Sequence, residues 1–434
     1  MGRNDLAPRY KSSSGWNALL TPRGIRDEVP ATRSYSTILI GAGFTGLAAA
    51  RTLAELQPEQ EVLVIEASVI GEGASGRNSG FLSPFPSQPR ATRLDTVDEA
   101  ARRQIRIIKA GFDYLRGVVK SQAIDCDWDE LSPRITAAAT ARGEENARAA
   151  MRRYARWGLV GKEHTSESLK RALGTAYYRF GYEPENKAFV QPAKLIRGLA
   201  DSLPESVTLL EQTIVLAVNG DGPFTLDTTR GEFRAGRIIV ATNANARGLG
   251  FLRNRLIGIY TYGALTHELD DAQLAQFGDI PRWGVIPAHR MGTTLRKIGR
   301  RILVRSGDSY ESEMSYSRTT ELLEDLLRNR YPALDQLPFE HVWGGITAVT
   351  HNGGQYFGQL RNGLYISAGC NGGGIVRGSI QGKLLAEMAL GSQSQLLSDR
   401  LVLEGPNWIP SEPFCRMGAL ASIKVEQLVA GRER

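Results

Sequence analysis

TILIGAGFTGLAAARTLAELQPEQEVLVIEASVIGEGASGRNSGF, residues Thr37 to Phe81, is the stretch whose reading decides the fold. Its apolar start, Thr37 to Ile40, reads as a buried parallel strand, Gly41-x-Gly43-x-x-Gly46 as the tight turn after it, and Leu47 to Leu56 as the helix that follows. Gly41 makes the turn, Gly43 lets backbone approach a pyrophosphate, and Gly46 lets helix and strand pack closely. The start of the helix adds bare N–H groups and a positive dipole end for an anion. A second strand, Glu61 to Ile65, leads into Glu66, which stands 20 residues past Gly46 and is placed to accept a hydrogen bond from an adenosine ribose hydroxyl. An acid there disfavours a 2′-phosphate, so the expected ligand is a dinucleotide other than NADP.

Around this core the composition is that of a globular chain: 434 residues, 42% hydrophobic and 23% charged, enough for two joined domains. Cys126, Cys370 and Cys415 are too far apart for a metal knuckle or a C-x-x-C pair, so no metal is expected, and their scarcity suits a reducing compartment. Residues 1–36 hold no secretory apolar segment, and no apolar run approaches the length of a bilayer span. A cytoplasmic protein with no membrane span is therefore expected. The net charge of +7 raises the question of nucleic acid, but the arginines are spread along the chain and interleaved with acids, which points to a solvated basic surface instead.

Residues 1–35, polar and carrying Ser12-Ser13-Ser14-Gly15, Pro22, Gly24 and Pro30, read as an extended arm over the first domain. Arg102 to Val119 spaces Ile105, Ile108, Phe112, Leu115 and Val119 as one buried helical stripe. Val207 to Val218, Phe224 to Thr228 and Ile238 to Thr242 read as strands returning to the first sheet. Alternation over Leu256 to Glu268 and Arg301 to Ser306 predicts an antiparallel sheet with one cavity-facing or solvated side. Leu322, Leu323, Leu326 and Leu327 share one face of a helix that ends before Tyr331-Pro332. A last unit follows: strand Gly363 to Ala368, a glycine-rich loop over residues 369–374, and a helix from about Val376 to Leu390.

With GEGASGRNSGF (Gly71 to Phe81) behind the ribose acid, the chain resembles the D-amino-acid oxidase family of FAD flavoproteins, which includes glycine oxidase, sarcosine oxidase and gamma-glutamylputrescine oxidoreductase. The likeness covers roughly residues 36–392. Ile238-Ile-Val-Ala-Thr-Asn243 resembles the strand end that passes the FAD, and Gly363-Leu-Tyr-Ile-Ser-Ala-Gly-Cys-Asn-Gly-Gly-Gly374 resembles the loop beside the flavin pyrimidine. The resemblance implies an α/β fold in which a Rossmann-like, parallel-sheet FAD-binding domain is interleaved with an α+β substrate domain on a mainly antiparallel sheet. On that pattern residues 1–35 form an extension, 36–122, 189–248 and 341–395 the FAD-binding domain, 123–188 and 249–340 the substrate domain, and 396–434 a tail. Gly41, Gly43, Phe44, Thr45, Gly46, Glu66 and Ala67 would bind FAD together with Ser75, Gly76, Arg77, Asn78, Ser79 and Gly80. Val215, Ala241, Thr242, Asn371, Gly372, Gly373 and Gly374 would complete the set.

Departures from the family pattern carry further expectations. Asn371 and Gly373 stand where members commonly have the Ser and His of G-x-S-G-H-G. The segment Trp343-Gly-Gly-Ile-Thr-Ala-Val-Thr350 lacks the cysteine through which some members attach FAD, so the cofactor is expected to be non-covalent. Amino-acid-oxidising relatives tend to read W-x-G-x-R there, with the arginine clamping the substrate carboxylate, and here the matching residue is Thr347. The pattern is closer to gamma-glutamylputrescine oxidoreductase. The expected reaction is oxidation of a small-molecule primary or secondary amine, with electrons passing to oxygen or another acceptor. The alternatives are a D-amino-acid dehydrogenase or oxidase with a different clamp, and a flavoprotein subunit or RNA-binding flavoprotein.

No acid–base dyad is required by such chemistry, and no catalytic residue is assigned. Trp343, Thr347, Tyr260 and Tyr262 are the candidate pocket residues, the aromatic ones as a wall that is equally readable as core packing. His267, His289, His341 and His351 lack ligand spacing. Arg296, Arg301 and Arg305 flank the cavity sheet and could meet a distal carboxylate, although strand-face arginines are usually solvated.

Overall fold

The strand Ser34–Ile40 lies inside an eight-stranded sheet, with Gly231–Val240 on one side and Val62–Ile65 on the other, both parallel to it. Leu364–Ala368 and Val207–Leu210 extend the parallel run at its two ends, and Tyr356–Arg361 closes one edge antiparallel. This computed structural model describes residues 6–7, 9–82, 85, 94–334 and 337–434. One face of the sheet buries Leu39, Val62 and Val64 beneath the helices Phe44–Leu56, Leu94–Ser121, Pro192–Asp201 and Gly374–Ala389. On the other face Ile38, Ile40, Leu63 and Ile65 pack with Phe224, Leu226 and Phe233 of an antiparallel ribbon. Burial on both faces is why these strands are continuous apolar runs and not alternating ones.

Two elements differ from their sequence reading. Val207 to Val218 is not one strand but two, Val207–Leu210 and Val215–Asn219, parted by Glu211. Glu211 is fully buried and accepts from the Arg23 guanidinium and from the Arg26 and Ile70 N–H groups, so the chain turns there to receive the arm. The helix read as Arg102 to Val119 begins at Leu94, ahead of the point where the apolar stripe becomes regular.

A second eight-stranded sheet runs in the order Phe339–Val349, Ile257–Thr266, Arg301–Tyr310, Thr294–Ile298, Trp283–Pro287, Arg134–Ala138, Phe180–Pro184, Gly161–Thr165. All its pairings are antiparallel except that of Trp283–Pro287 with Arg134–Ala138. Residues 341–349, placed with the FAD-binding portion on sequence, belong to this sheet: they pair with Ile257–Thr266 from Ile257↔Val349 onward. Glycines 344 and 345 blur the alternation that would have marked this strand as the edge of an antiparallel sheet.

The N-terminal arm spans both sheets and does not lie over the first alone. Arg23 pairs with Asp201 and Glu211, while Lys11 binds Glu313 and Ser12 donates to the Val342 carbonyl. Trp16, 1% exposed, packs edge-on against Trp343. At the other end the helix Phe414–Ala430 precedes the buried Glu433, whose carboxylate accepts from the Ala139 and Thr140 N–H groups. Among the described residues no helix is long and apolar enough to cross a membrane, and no group of three or more His, Cys, Asp or Glu could hold a metal.

Candidate active site

Four parallel strands end at one edge of the first sheet, and residues at their ends, Gly41, Glu66, Ala241 and Ala368, line the same opening. Ligands of open α/β sheets bind at this carboxyl edge. A cavity of about 560 Å³ lies there, walled on its far side by the second sheet. Its lining takes in Gly41, Gly43, Phe44, Thr45, Glu66, Ala67, Ser75, Arg77, Asn78, Ser79, Val215, Ala241, Thr242 and Asn371 to Gly374, as well as Tyr262 and Thr347.

The remaining sequence candidates lie elsewhere. Gly46 faces its own turn, where an added Cβ would lie 1.9 Å from the Gly41 carbonyl oxygen. Gly76 and Gly80 abut the Gly71 and Val190 carbonyls in the same way. Trp343, 2% exposed, donates its indole N–H to the Arg77 carbonyl beneath the arm, and Tyr260 packs edge-on against Tyr10. Both are packing residues, and only Tyr262 of the three aromatic candidates reaches the cavity. The Tyr262 hydroxyl is bonded to Ser309 and to the Met314 N–H.

The first-sheet end of the cavity fits a dinucleotide such as FAD. Two helices, Phe44–Leu56 and Gly374–Ala389, begin on it with glycine N-caps, Gly43 and Gly373, that offer no side-chain capping bond. Ser75 Oγ accepts from the Phe44 N–H at 3.2 Å, and the dipoles of the two helix starts point their positive ends at the cavity, where an anion is favoured. Close packing aligns the two: a Cβ at Gly382 would lie 2.1 Å from the Thr45 carbonyl oxygen. Glu66 is fixed by accepting from the Ala42 N–H at 2.8 Å and the Ser68 N–H at 3.1 Å, and burial raises its pKa above the ordinary carboxylate range. Among the described residues Thr242 Oγ1 is buried on the wall with no partner, a deficit that a polar ligand would fill.

Two loop residues act on the protein more than on the cavity. Asn78 closes its own turn, donating to the Ser75 carbonyl and accepting from the Gly80 N–H. The Arg77 guanidinium lies over the Tyr10 ring at 3.7 Å and donates to the carbonyls of Glu72, Gly344 and Ser12. It joins the glycine loop, the arm and the second sheet at one point, and burial lowers its pKa.

At the second-sheet end, Thr261, Gly263, Thr294, Arg305, Gly345 and Thr347 share one face and line the cavity. Thr347 Oγ1 lies 3.2 Å from Cys370 Sγ, which also accepts from the Asn243 amide. The Asn371 N–H donates to the Ala348 carbonyl, and its side-chain oxygen accepts from the Thr350 N–H, so the late glycine loop is stitched to the strand that carries Thr347. Arg296, read as a possible carboxylate ligand, is instead buried between Phe189 and Trp16, donating to the Ser79 and Val190 carbonyls, and desolvation pushes it down to about 9. Arg301 pairs with Glu340. Of the three arginines only Arg305 faces the cavity, and none of the four candidate histidines lines it. Asn243, Arg290, Gln355 and Arg377 also line it and were not singled out on sequence, because no local motif marks them.

A family model described as FAD dependent oxidoreductase (DAO) matches residues 36–388. The probable oxidoreductase OrdL of Rhizobium meliloti (strain 1021) is 26% identical over 407 residues, covering 91% of both chains. Gamma-glutamylputrescine oxidoreductase of Escherichia coli (strain K12) is 24% identical over 365 residues, covering 81% of this chain and 83% of that one. The crystal structure of glycine oxidase from Geobacillus kaustophilus superposes with a TM-score of 0.71 at 20% identity, covering 84% of this chain and 96% of that one. This last likeness is one of fold.

Proposed function

The chain belongs to the DAO family of FAD-dependent oxidoreductases, and from that premise we propose that it oxidises a primary or secondary amine at the carbon bearing nitrogen. The observation that carries this reading is the make-up of the cavity wall. Glu66, at the dinucleotide end, is the one acid among the lining residues, and they include no histidine or lysine. A wall without an acid–base dyad suits the oxidation of a neutral amine, in which positioning and exclusion of water matter most. It suits hydrolysis or acyl transfer poorly.

Bound non-covalently, FAD supplies the acceptor for a hydride leaving the substrate carbon, and the resulting imine hydrolyses in water. Gly43, Phe44, Thr45 and Glu66 are assigned to the dinucleotide, with Ser75, Thr242 and the 371–374 loop completing the grip. The start of the Gly374–Ala389 helix, with Arg377 in its first turn, lines the cavity with positive potential and would stabilise negative charge on a reduced flavin held there. Tyr10 and Leu6 of the arm border the cavity and help to exclude water. Thr347, tied to Cys370, offers no charged fork, so an α-carboxylate finds no clamp on that strand. Three unpaired cysteines agree with a cytoplasmic location.

Anaerobic mixing of the yellow protein with primary and secondary amines, while flavin absorbance is followed, tests the proposal. Bleaching by amines is expected. A flavin that stays oxidised with every amine, while a non-nitrogenous alcohol or hydroxy acid bleaches it, would sink the reading.

A further inference from the structure

Arg305 stands on the cavity face of the Arg301–Tyr310 strand, directly opposite Gly263 on one neighbour and Thr294 on the other. It is half-buried, lines the cavity, and makes no ion pair within 4.0 Å among the described residues. The Trp343 indole covers Gly263 beside it, and the guanidinium carries five donors toward the cavity that it lines. Arg290 lines the same end of the cavity from its exposed rim, where Glu426 of the Phe414–Ala430 helix holds it at 2.8 Å. The remaining charges are Asp308, on the same strand face, and Arg434. Burial raises Asp308 out of the ordinary carboxylate range although Arg305, Arg290 and Arg434 all act to lower it. Glu426 offsets Arg290 at the rim and Asp308 does not line the cavity, so the wall at this end presents Arg305 with no acid beside it in the lining.

Register separates this cation from the place where an amino-acid clamp would stand. Thr347 pairs with Ile259, and Arg305 with Gly263, four residues further along the shared neighbour and two strands across from the strand of Thr347. That spacing is on the order of 15 Å between Cα atoms. Thr347 lies beside the late glycine loop, whereas Arg305 lies at the far end of the same floor.

We infer that Arg305, with Arg290 at the rim, forms an anion subsite that receives a carboxylate carried at the opposite end of the substrate from the oxidised amine. The substrate class is then a long amino carboxylate, neither an α-amino acid nor an uncharged alkylamine. This rests on the amine-oxidation reading given above. A polyamine cation is disfavoured, because the residues that line that end of the cavity include Arg305 and Arg290 and no acid.

The test compares ε-aminocaproate with hexylamine, equal in carbon count, on the flavin-loaded protein. The kcat/KM ratio is expected to favour ε-aminocaproate, to fall about 10- to 100-fold in Arg305→Gln, and to recover in part in Arg305→Lys, as loss of charged hydrogen bonds predicts. Caproate, which cannot be oxidised, should perturb the flavin spectrum of the unmodified protein and compete with ε-aminocaproate. A ratio near unity in the unmodified protein, a ratio unchanged in Arg305→Gln, or caproate that neither perturbs nor competes would each overturn the subsite. Failure of every amine to bleach the flavin would strike the proposed reaction instead, and caproate binding would still decide the subsite on its own.

Discussion

The two ends of the cavity are built by different means. At the dinucleotide end the lining is largely backbone: glycine N-capped helix starts, a turn at Gly41 with φ of 99°, and glycines packed where a Cβ has no space, with Glu66 and Thr242 among the few side chains. At the substrate end they are side chains on the face of an antiparallel sheet, where Thr347 and Arg305 share one floor only because three strands pair in register. A grip made of backbone tolerates almost no substitution at its glycines, whereas a floor of side chains can change specificity one residue at a time.

The contrast breaks if substitutions at the two ends behave alike. The largest effect is expected for Gly46→Ala, whose methyl group would collide with the Gly41 carbonyl; overpacking of this kind costs about 1–3 kcal/mol or more, and flavin content together with the thermal midpoint should both drop. Next comes Thr347→Arg, which puts a charged fork on the floor: the kcat/KM ratio of D-alanine to hexylamine should rise about 10-fold or more without loss of bound flavin. A variant that loses flavin or leaves the ratio unchanged would merge the two ends again.

Glu66→Gln should weaken FAD about tenfold in equilibrium titration, one acceptor of the pair that holds Ala42 and Ser68 being lost. Its pH behaviour sharpens the point. The Glu66 pKa is raised in the folded protein, so the folded state holds the proton more tightly, and stability is lost as pH rises from the ordinary carboxylate range through the raised value. Denaturant midpoints of the apoprotein should show that fall in the native sequence and a flatter profile in Glu66→Gln. The smallest effect is expected for Trp343→Phe: losing the bond to the Arg77 carbonyl costs about 1 kcal/mol in a denaturant midpoint, with amine specificity unchanged because Trp343 is not on the wall.

The same division explains what could be read from the chain alone. Gly41, Gly43 and Glu66 are separated by local spacings, and a local spacing translates directly into a strand, a turn and a helix start. The late loop was equally readable, since Asn371 to Gly374 open a helix just past an apolar strand. Trp343 and Arg296 were harder, because an indole or a guanidinium on a strand has the same local signature whether it faces a cavity or a neighbouring ring. The strand through Gly344 and Gly345 escaped its sheet for a related reason: glycine carries no facial information, and the partner Ile257–Thr266 lies about eighty residues earlier in the chain. Arg290 was invisible, its place depending on Glu426 far downstream.

Arg77 ties the glycine loop to Ser12 and Tyr10 of the N-terminal arm as well as to Gly344. Thermodynamic reciprocity then applies: whatever free energy a bound cofactor lends to the 72–77 turn is returned in equal measure to the seating of the arm. Removing the arm before Gly15 would weaken the cofactor by the same factor by which a bound cofactor shifts the seated-arm equilibrium.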